Sequence, residues 1–323
     1  MLTVMDTIHA TVLCTLDVAA TAANIVLVYA IFTRLISKTP SRTPPSMRSY
    51  SILLLNNIFV DLLSATASVL GIARLSFLRE TFSQVYMYLG PCSSVGLWFC
   101  HLCQTIHIFC VCHSTVILLH SFCFRLYILR DKLVHVSIPS TRTSLVICLL
   151  LYIPTMFMMY LFYVSFEYTS DELMRSLHFD EYPTTWHSTV LSNHFVIALS
   201  YVVILSPAAM VIIFFVRLRL IDEIRKMESG ARDHHSHIAK ALTYQMLLPA
   251  GVSLASAAWL SEVTGLWWNE TPERLIMTLS SFFALGSPLI NLTFLPPYRR
   301  MFGKGGKTNA MGASTTASAS HFA

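Results

Sequence analysis

Seven long apolar stretches, separated by shorter polar segments, divide the chain. Each has about the 20 residues that a helix needs to cross the hydrocarbon core of a bilayer. The stretches predict helices at residues 8–32, 50–75, 95–124, 144–166, 191–217, 241–266 and 275–295. The pattern therefore predicts an all-α membrane protein, a seven-helix bundle over residues 1–302. Residues 303–323 are rich in Gly, Ser and Thr, which predicts a disordered tail.

The composition agrees with a chain that lies mostly in a membrane. Hydrophobic residues make up 54% of the chain, charged residues only 12%, and the mean hydropathy is +0.60. Soluble domains carry about 25% charged residues. The net charge of +5 does not predict a nucleic-acid binder, because the basic residues lie in short loops and not on one face of a soluble domain.

The basic residues predict the orientation of the bundle. The chain has 22 Lys and Arg residues, and nearly all lie near the ends of the first, third, fifth and seventh stretches. The exceptions are Arg74, Arg79, Arg175 and Arg274. Because loops rich in Lys and Arg remain in the cytosol, we expect the N-terminus outside and the C-terminus inside.

The third stretch carries the most conspicuous side chains, four histidines in a segment without charge. Imidazole is a common metal ligand. At about 100° per residue, however, the four do not share one face of a helix, so we predict no metal and no cofactor. Cys100 and Cys103 have C-x-x-C spacing, but in an apolar helix with no second pair they are expected to pack in the core. The four histidines are His101, His107, His113 and His120.

Several segments together resemble the nematode serpentine chemoreceptors of class delta (Srd). They are MRSYSILLLNNIFVDLLSA, LGPCSSVG, LLHSFCFRLYIL, HSHIAKALTYQMLLP and SPLINLTFLPPYRRMF. The resemblance covers most of the chain. It implies a G protein-coupled receptor that detects small environmental chemicals and activates a heterotrimeric G protein. It also implies a multi-pass protein of the plasma membrane, displayed on the cilium of a sensory neuron.

A looser resemblance to rhodopsin-like receptors implies a switch network within the bundle. Asp61 is similar to the acid of the second helix in that superfamily, with Asn57 one turn before it and Asn24 as the matching amide on the first helix. Pro288 is similar to the proline of the N-P-x-x-Y motif, although Asn291 stands in place of its tyrosine. We therefore expect these five residues to form the network. The alternative reading of Asp61 is a structural carboxyl group that is neutralised or paired within the bundle.

The same resemblance implies a coupling surface at the inner end of the third helix. Arg125 resembles the arginine of the D-R-Y motif, but Phe124 replaces the acid and Leu126 replaces the tyrosine. The alternative reading of Arg125 is a positive-inside anchor that extends to the membrane interface. The residues expected to contact the G protein are Arg125, Tyr127, Arg217 and Arg219.

Two features are expected on the outer side. Cys92 lies where the resemblance implies a disulfide to the second outer loop, but that loop has no cysteine, so its partner is left open. Asn269 begins the sequon N-E-T and is a glycosylation candidate.

The ligand is expected between the third, fifth, sixth and seventh helices. Polar residues at the expected depth are His101, Gln104, Thr105, His194 and Glu262. No enzyme motif is found, so an enzyme is not expected. One alternative is a seven-helix ligand-gated channel of the insect chemoreceptor type, which would place the N-terminus in the cytosol, against the charge distribution. The other is a small-molecule transporter, which is disfavoured because the chain has no internal repeat.

Overall fold

The structure is a computed structural model that describes residues 3–36, 45–78, 83–134, 140–165, 184–187, 193–226, 243–267 and 270–294. The predicted tail at 303–323 and the glycosylation candidate Asn269 lie outside these residues.

The described residues contain seven helices that are long and apolar enough to span a membrane. They are α1 (Val4–Ile36), α2 (Pro45–Gly71), α3 (Leu97–Val134), α4 (Thr141–Val164), α5 (Asn193–Arg225), α6 (Leu248–Val263) and α7 (Glu270–Phe294). The sixth span begins with a helical turn at Thr243, before Pro249 and the start of α6 proper. The predicted seven-helix bundle is confirmed. Both α3 and α5 continue beyond their predicted ends into charged sequence.

Helix α3 forms the centre of the bundle. It packs against α2, α4, α5 and α7 and is the most buried of the seven spans. Helices α4 and α5 are the least buried. On α4 the large side chains of Leu149, Ile153 and Phe157 are exposed at four-residue spacing, so one face of the helix is apolar and faces outward. In a membrane this face contacts lipid.

A small antiparallel sheet accompanies the helices, and the pattern of apolar stretches does not predict it. Its strands are β1 (Ala73–Leu78), β2 (Ser83–Tyr88) and β3 (Thr184–His187), in the order β1-β2-β3. The second span was predicted to run to residue 75, but α2 ends at Gly71, and Ile72 has a positive φ of 37° that turns the chain into β1. Ala73 pairs with Tyr88, and Val85 pairs with Trp186.

The β1–β2 hairpin folds back onto the end of the bundle. All six residues of β2 are buried. Gly90 follows the hairpin so closely against α2 that a Cβ there would clash with the Leu70 carbonyl oxygen. We call this end of the bundle, where α1, α3 and α7 begin, the hairpin end, and the other end the opposite end.

The structure supplies the partner of Cys92. Its disulfide joins Cys100 in the first turn of α3, eight residues along the chain, and not the second outer loop. Cys92 itself lies in the short 3-10 helix Pro91–Ser94. Cys100 is therefore not half of a free C-x-x-C pair, whereas Cys103 is free and buried.

Candidate functional site

A cavity of about 80 Å³ lies between α3, α5, α6 and α7, below the hairpin. Its wall is mainly aliphatic and aromatic. The apolar lining residues are Leu75, Tyr86, Ile108, Val111, Phe162, Leu199, Val202, Val203, Val252, Ala255, Trp259, Ile276 and Met277. Such a wall favours a small apolar molecule, because removing its surface from water stabilises the bound state.

Few polar side chains reach this cavity. The Nε2 atom of His107 lies 3.0 Å from the Ser280 hydroxyl oxygen, and its Nδ1 atom lies 3.2 Å from the Ser64 hydroxyl oxygen. Ser256 also lines the wall. A cavity with a few polar groups in an apolar wall can orient a ligand through one or two hydrogen bonds.

The hairpin forms the wall that closes the cavity at the hairpin end of the bundle. Trp259 on α6 donates from Nε1 to the side-chain oxygen of Gln84 on β2 at 3.0 Å, and the Gln84 amide donates to the Tyr86 hydroxyl. Burial raises the pKa of the Tyr86 phenol above its usual range, so this hydroxyl stays neutral. The strand is thereby joined to α6 by hydrogen bonds as well as by packing.

Four charged residues join the hairpin to α1 and α7; we call them the ionic cluster. Arg74 on β1 lies 3.0 Å from a carboxylate oxygen of Asp6 and 3.1 Å from one of Glu273. Arg274 lies 3.0 Å from Asp6, and the Ser76 hydroxyl donates to Glu273. The Asp6 side chain is only 1% exposed. The sequence does not predict this cluster, because Asp6, Arg74 and the adjacent pair 273–274 lie in three distant parts of the chain.

A second polar group lies deeper in the bundle, around Asp61. The Asn57 amide donates to Asp61 at 2.7 Å and to the Ser287 hydroxyl at 2.8 Å. The Ser114 hydroxyl donates to the other Asp61 oxygen at 3.1 Å. Asn57 and Asp61 lie on one face of α2, as their four-residue spacing predicts, and the group also joins α3 and α7.

Polar side chains follow one another in three layers from the cavity toward the opposite end. His107, Ser114 and Ser121 are spaced by seven residues on α3, and Ser280 and Ser287 by seven on α7, so each set lies on one helix face. The third layer adjoins a second cavity of about 20 Å³, where Gln245 donates to Asn291 at 2.9 Å. We call these residues the polar column: Ser64, His107 and Ser280; Asn57, Asp61, Ser114 and Ser287; Ser121, Gln245 and Asn291.

The other two predicted switch residues, Asn24 and Pro288, form a separate contact. A proline has no N–H, so Pro288 leaves the carbonyl of Ala284, four residues earlier in α7, without its helical partner. The Asn24 amide donates to that carbonyl at 3.2 Å. This contact ties α1 to α7 at the proline, beside the polar column.

The family model for the serpentine type 7TM GPCR chemoreceptor Srd matches residues 11–304. The chain belongs to the Srd family. This is a family of receptors and not of enzymes, and with seven spanning helices the chain is a multi-pass protein of the plasma membrane.

The Srd relatives include several from Caenorhabditis elegans. Serpentine receptor class delta-1 is 27% identical over 292 residues, which cover 85% of this chain and 75% of the relative. Serpentine receptor class delta-3 is 28% identical over 285 residues, covering 83% and 80%, and class delta-2 is 25% identical over 306 residues, covering 88% and 80%.

In this Srd chain the five predicted ligand residues do not come together. His101 is buried, with Nε2 3.3 Å from the Tyr163 carbonyl oxygen on α4, and Thr105 donates back to the His101 carbonyl at 2.8 Å. Gln104 donates to the Met277 sulfur, which lines the cavity. His194 is exposed, and Glu262 is buried on α6. None of the five lines the cavity below the hairpin, although Gln104 touches its wall.

The four histidines of α3 have separate surroundings. His101 faces α4, His107 faces α2 and α7, and His113 lies 3.0 Å from the Thr155 hydroxyl. His120 packs against Phe124. Within the part of the chain that the structure describes, no group of three or more His, Cys, Asp or Glu residues could hold a metal ion.

The predicted coupling residues lie at the opposite end of the Srd bundle. Arg125 is buried, at 7% exposure, in the last part of α3, while Tyr127 is 40% exposed. Arg217 on α5 donates to the Thr243 hydroxyl at 3.1 Å, and Arg219 is exposed. Phe124 packs with Leu53 and Cys148, so the position of the usual acid is occupied by an apolar contact.

Proposed function

We propose that this Srd receptor detects small, largely apolar chemicals in the cavity below the hairpin and activates a heterotrimeric G protein at the opposite end. The observation that carries the proposal is the cavity itself, because its wall is apolar and a few hydrogen-bonding groups, led by His107, lie within it. The plasma membrane of a sensory cilium is the proposed location of the receptor.

Activation would follow if the ligand bound the active arrangement of the helices more tightly than the resting arrangement. A ligand shifts a conformational equilibrium only when it binds one arrangement better than the other. His107 belongs both to the cavity wall and to the first layer of the polar column. From Ser280 to Asn291 the column extends about 16 Å at 1.5 Å per residue. A ligand that displaces His107 would therefore perturb its contacts with Ser64 and Ser280, in the first of the three polar layers that follow one another toward the opposite end.

The proposed G-protein surface comprises Arg125, Tyr127, Arg217 and Arg219. Exposed Tyr127 and Arg219 offer contacts at once, whereas buried Arg125 would contact a partner after the helices separate. The guanidinium group is always charged and has five donors, which suits it to carbonyl or carboxylate acceptors on a partner protein.

We predict that the hairpin end faces the outside of the cell. The Cys92–Cys100 disulfide supports this orientation, because disulfides persist in oxidising compartments and are rare in the cytosol. An epitope tag before residue 1 should be stained by antibody on intact cells, and a tag after residue 323 only after permeabilisation. The reverse staining pattern would contradict both the orientation and the proposed coupling surface.

A cavity-filling substitution should weaken the response. Ala255→Leu adds a larger side chain to the cavity wall, so an agonist identified in a calcium-reporter screen of volatile chemicals should lose at least about tenfold in potency, or about 1.4 kcal/mol of binding. The matched control is Leu254→Phe, the neighbouring residue on α6, whose side chain is 60% exposed on the lipid side. If Ala255→Leu at normal surface abundance kept its potency, the cavity would not be the ligand site.

A further inference from the structure

A groove of about 170 Å³ lies between α5 and α6 on the side of the bundle that faces lipid. Its lining includes Leu199, Ser200, Val203 and Ile204 on α5 and Trp259 and Leu260 on α6. The Ile204 side chain is 62% exposed and that of Leu260 is 42% exposed, within two membrane-spanning helices. The groove therefore opens toward the acyl chains of the bilayer.

The groove and the ligand cavity share a wall. Leu199, Val203 and Trp259 line both spaces, so these three side chains stand between them. Two are aliphatic side chains that can change rotamer without breaking a hydrogen bond. Trp259 is 8% exposed, and its indole is bonded to Gln84 of β2. Movement of the indole would thus connect the groove to the cavity and release one contact of the hairpin.

Entry from the hairpin end would require larger changes. On that side the cavity is lined by Leu75, Gln84 and Tyr86, which belong to two buried and paired strands. The ionic cluster further attaches β1 to α1 and α7. Passage there would separate strand hydrogen bonds or ion pairs, whereas passage from the groove displaces side chains and breaks one side-chain hydrogen bond, from Trp259 to Gln84.

We propose that the groove is a lateral portal, through which a small apolar ligand passes from the bilayer, past Trp259, into the cavity. This inference rests on the proposed function, since it concerns the route to the same cavity. An apolar molecule concentrates in the hydrocarbon core because its surface leaves water. The apolar molecule would enter the groove from the hydrocarbon core. The wall of the groove is apolar, as is the wall of the cavity.

The test measures access to a thiol placed inside the cavity. Ser256→Cys, in the intact receptor in lipid nanodiscs, serves as the reporter, and the reaction of the unsubstituted receptor is subtracted. Two reagents are compared: methyl methanethiosulfonate, which is small and neutral, and its trimethylammonium-ethyl analogue, which carries a fixed charge. The rate of each reagent with the reporter thiol is divided by its rate with a free thiol in water. This normalised rate should be at least tenfold higher for the neutral reagent than for the charged one.

A bulky residue in the groove should then slow the neutral reagent. Ser200→Trp in the reporter background is expected to lower its rate at least tenfold, and Ile204→Trp is the second variant should Ser200→Trp fold poorly. Ile212→Trp, on the exposed face of α5 and outside the groove, is the matched control and should change the rate less than twofold. The thiol is the same in each variant, so its intrinsic reactivity cancels.

Two results would overturn the portal. One is equally fast labelling by the charged reagent, which would indicate entry from water at the hairpin end. The other is an unchanged rate in well-folded Ser200→Trp and Ile204→Trp, in which case the groove holds lipid only. Labelling requires no signalling, so the portal can fail while a chemical response persists. Conversely, failure of every chemical in the screen would count against the proposed function and leave the labelling result intact.

Discussion

Replacement of Arg125 by alanine is expected to abolish the G-protein response to ligand, with at least a tenfold loss of maximal nucleotide exchange. Arg125 is the buried cation in the last part of α3, next to exposed Tyr127. Alanine removes its charge and all five of its hydrogen-bond donors, so a contact formed with the partner protein in the active arrangement is lost. The measurement is ligand-stimulated GTPγS binding in membranes that contain the receptor and a heterotrimeric G protein.

The matched control is Arg142→Ala. Arg142 lies near the start of α4, at the same end of the bundle, but is exposed. The control should retain the response, because an exposed anchor can be replaced by neighbouring basic residues. Both variants are compared at equal surface abundance. A full response in Arg125→Ala would identify Arg125 as a membrane anchor and remove it from the proposed coupling surface.

Asp6→Ala should produce the largest loss of stability. This carboxylate is buried and accepts from both Arg74 and Arg274 at 3.0 Å, so its removal leaves two largely buried guanidinium groups with fewer acceptors. Removing one partner of a buried ion pair costs about 3 kcal/mol. The melting temperature of the purified receptor in detergent should fall on the order of 5 °C, because each kcal/mol shifts it by a few degrees.

Glu223→Ala is the corresponding control. Glu223 pairs with Lys226 at 3.1 Å, a similar distance, but the Lys226 side chain is 62% exposed. An exposed pair contributes only about 0–1 kcal/mol, so the melting temperature should change little. Equal shifts in the two variants would show that the ionic cluster is as well solvated as an ordinary surface pair.

The seven spans were predictable because hydropathy over about 20 residues is a strong signal. The hairpin was not, since its strands have six residues each and continue directly from the second apolar stretch. A weaker signal was present: the aromatic and β-branched residues of S-Q-V-Y-M-Y precede Gly90 and Pro91, a combination typical of a strand followed by a turn. Gln84 and Tyr86, which line the cavity, were missed for this reason.

The ligand residues predicted from the sequence differ from the residues that line the cavity for another reason. Depth in the membrane can be read from the sequence, and His101 and Gln104 are predicted by their depth. The face of α3 that meets the cavity cannot be read in the same way, because α3 is buried on most sides and has no clear apolar stripe. His107 lies two turns further along and reaches the cavity, whereas His101 points to α4.

The Asp61 group was partly predictable. Asn57 and Asp61 are four residues apart, and that spacing places them on one helix face. Their partners Ser114 and Ser287 come from other helices and are common residues with no distinctive motif. The ionic cluster is similar, since Asp6 and Arg274 are separated by 268 positions. Contacts of this kind depend on how the helices pack.

The polar column has a consequence for how such receptors diversify. Its first two layers come from α2, α3 and α7, whereas α5 and α6 present mainly aliphatic side chains and Trp259 to the cavity. Under the proposed function, α5 and α6 would contribute mainly to recognition of the ligand, and α2, α3 and α7 mainly to transmission of the signal. A chimera that takes only the hairpin-end halves of α5 and α6 from another Srd receptor should acquire its odour preference and keep its own coupling. That result would show a modular bundle, with an exchangeable sensor and a retained transducer.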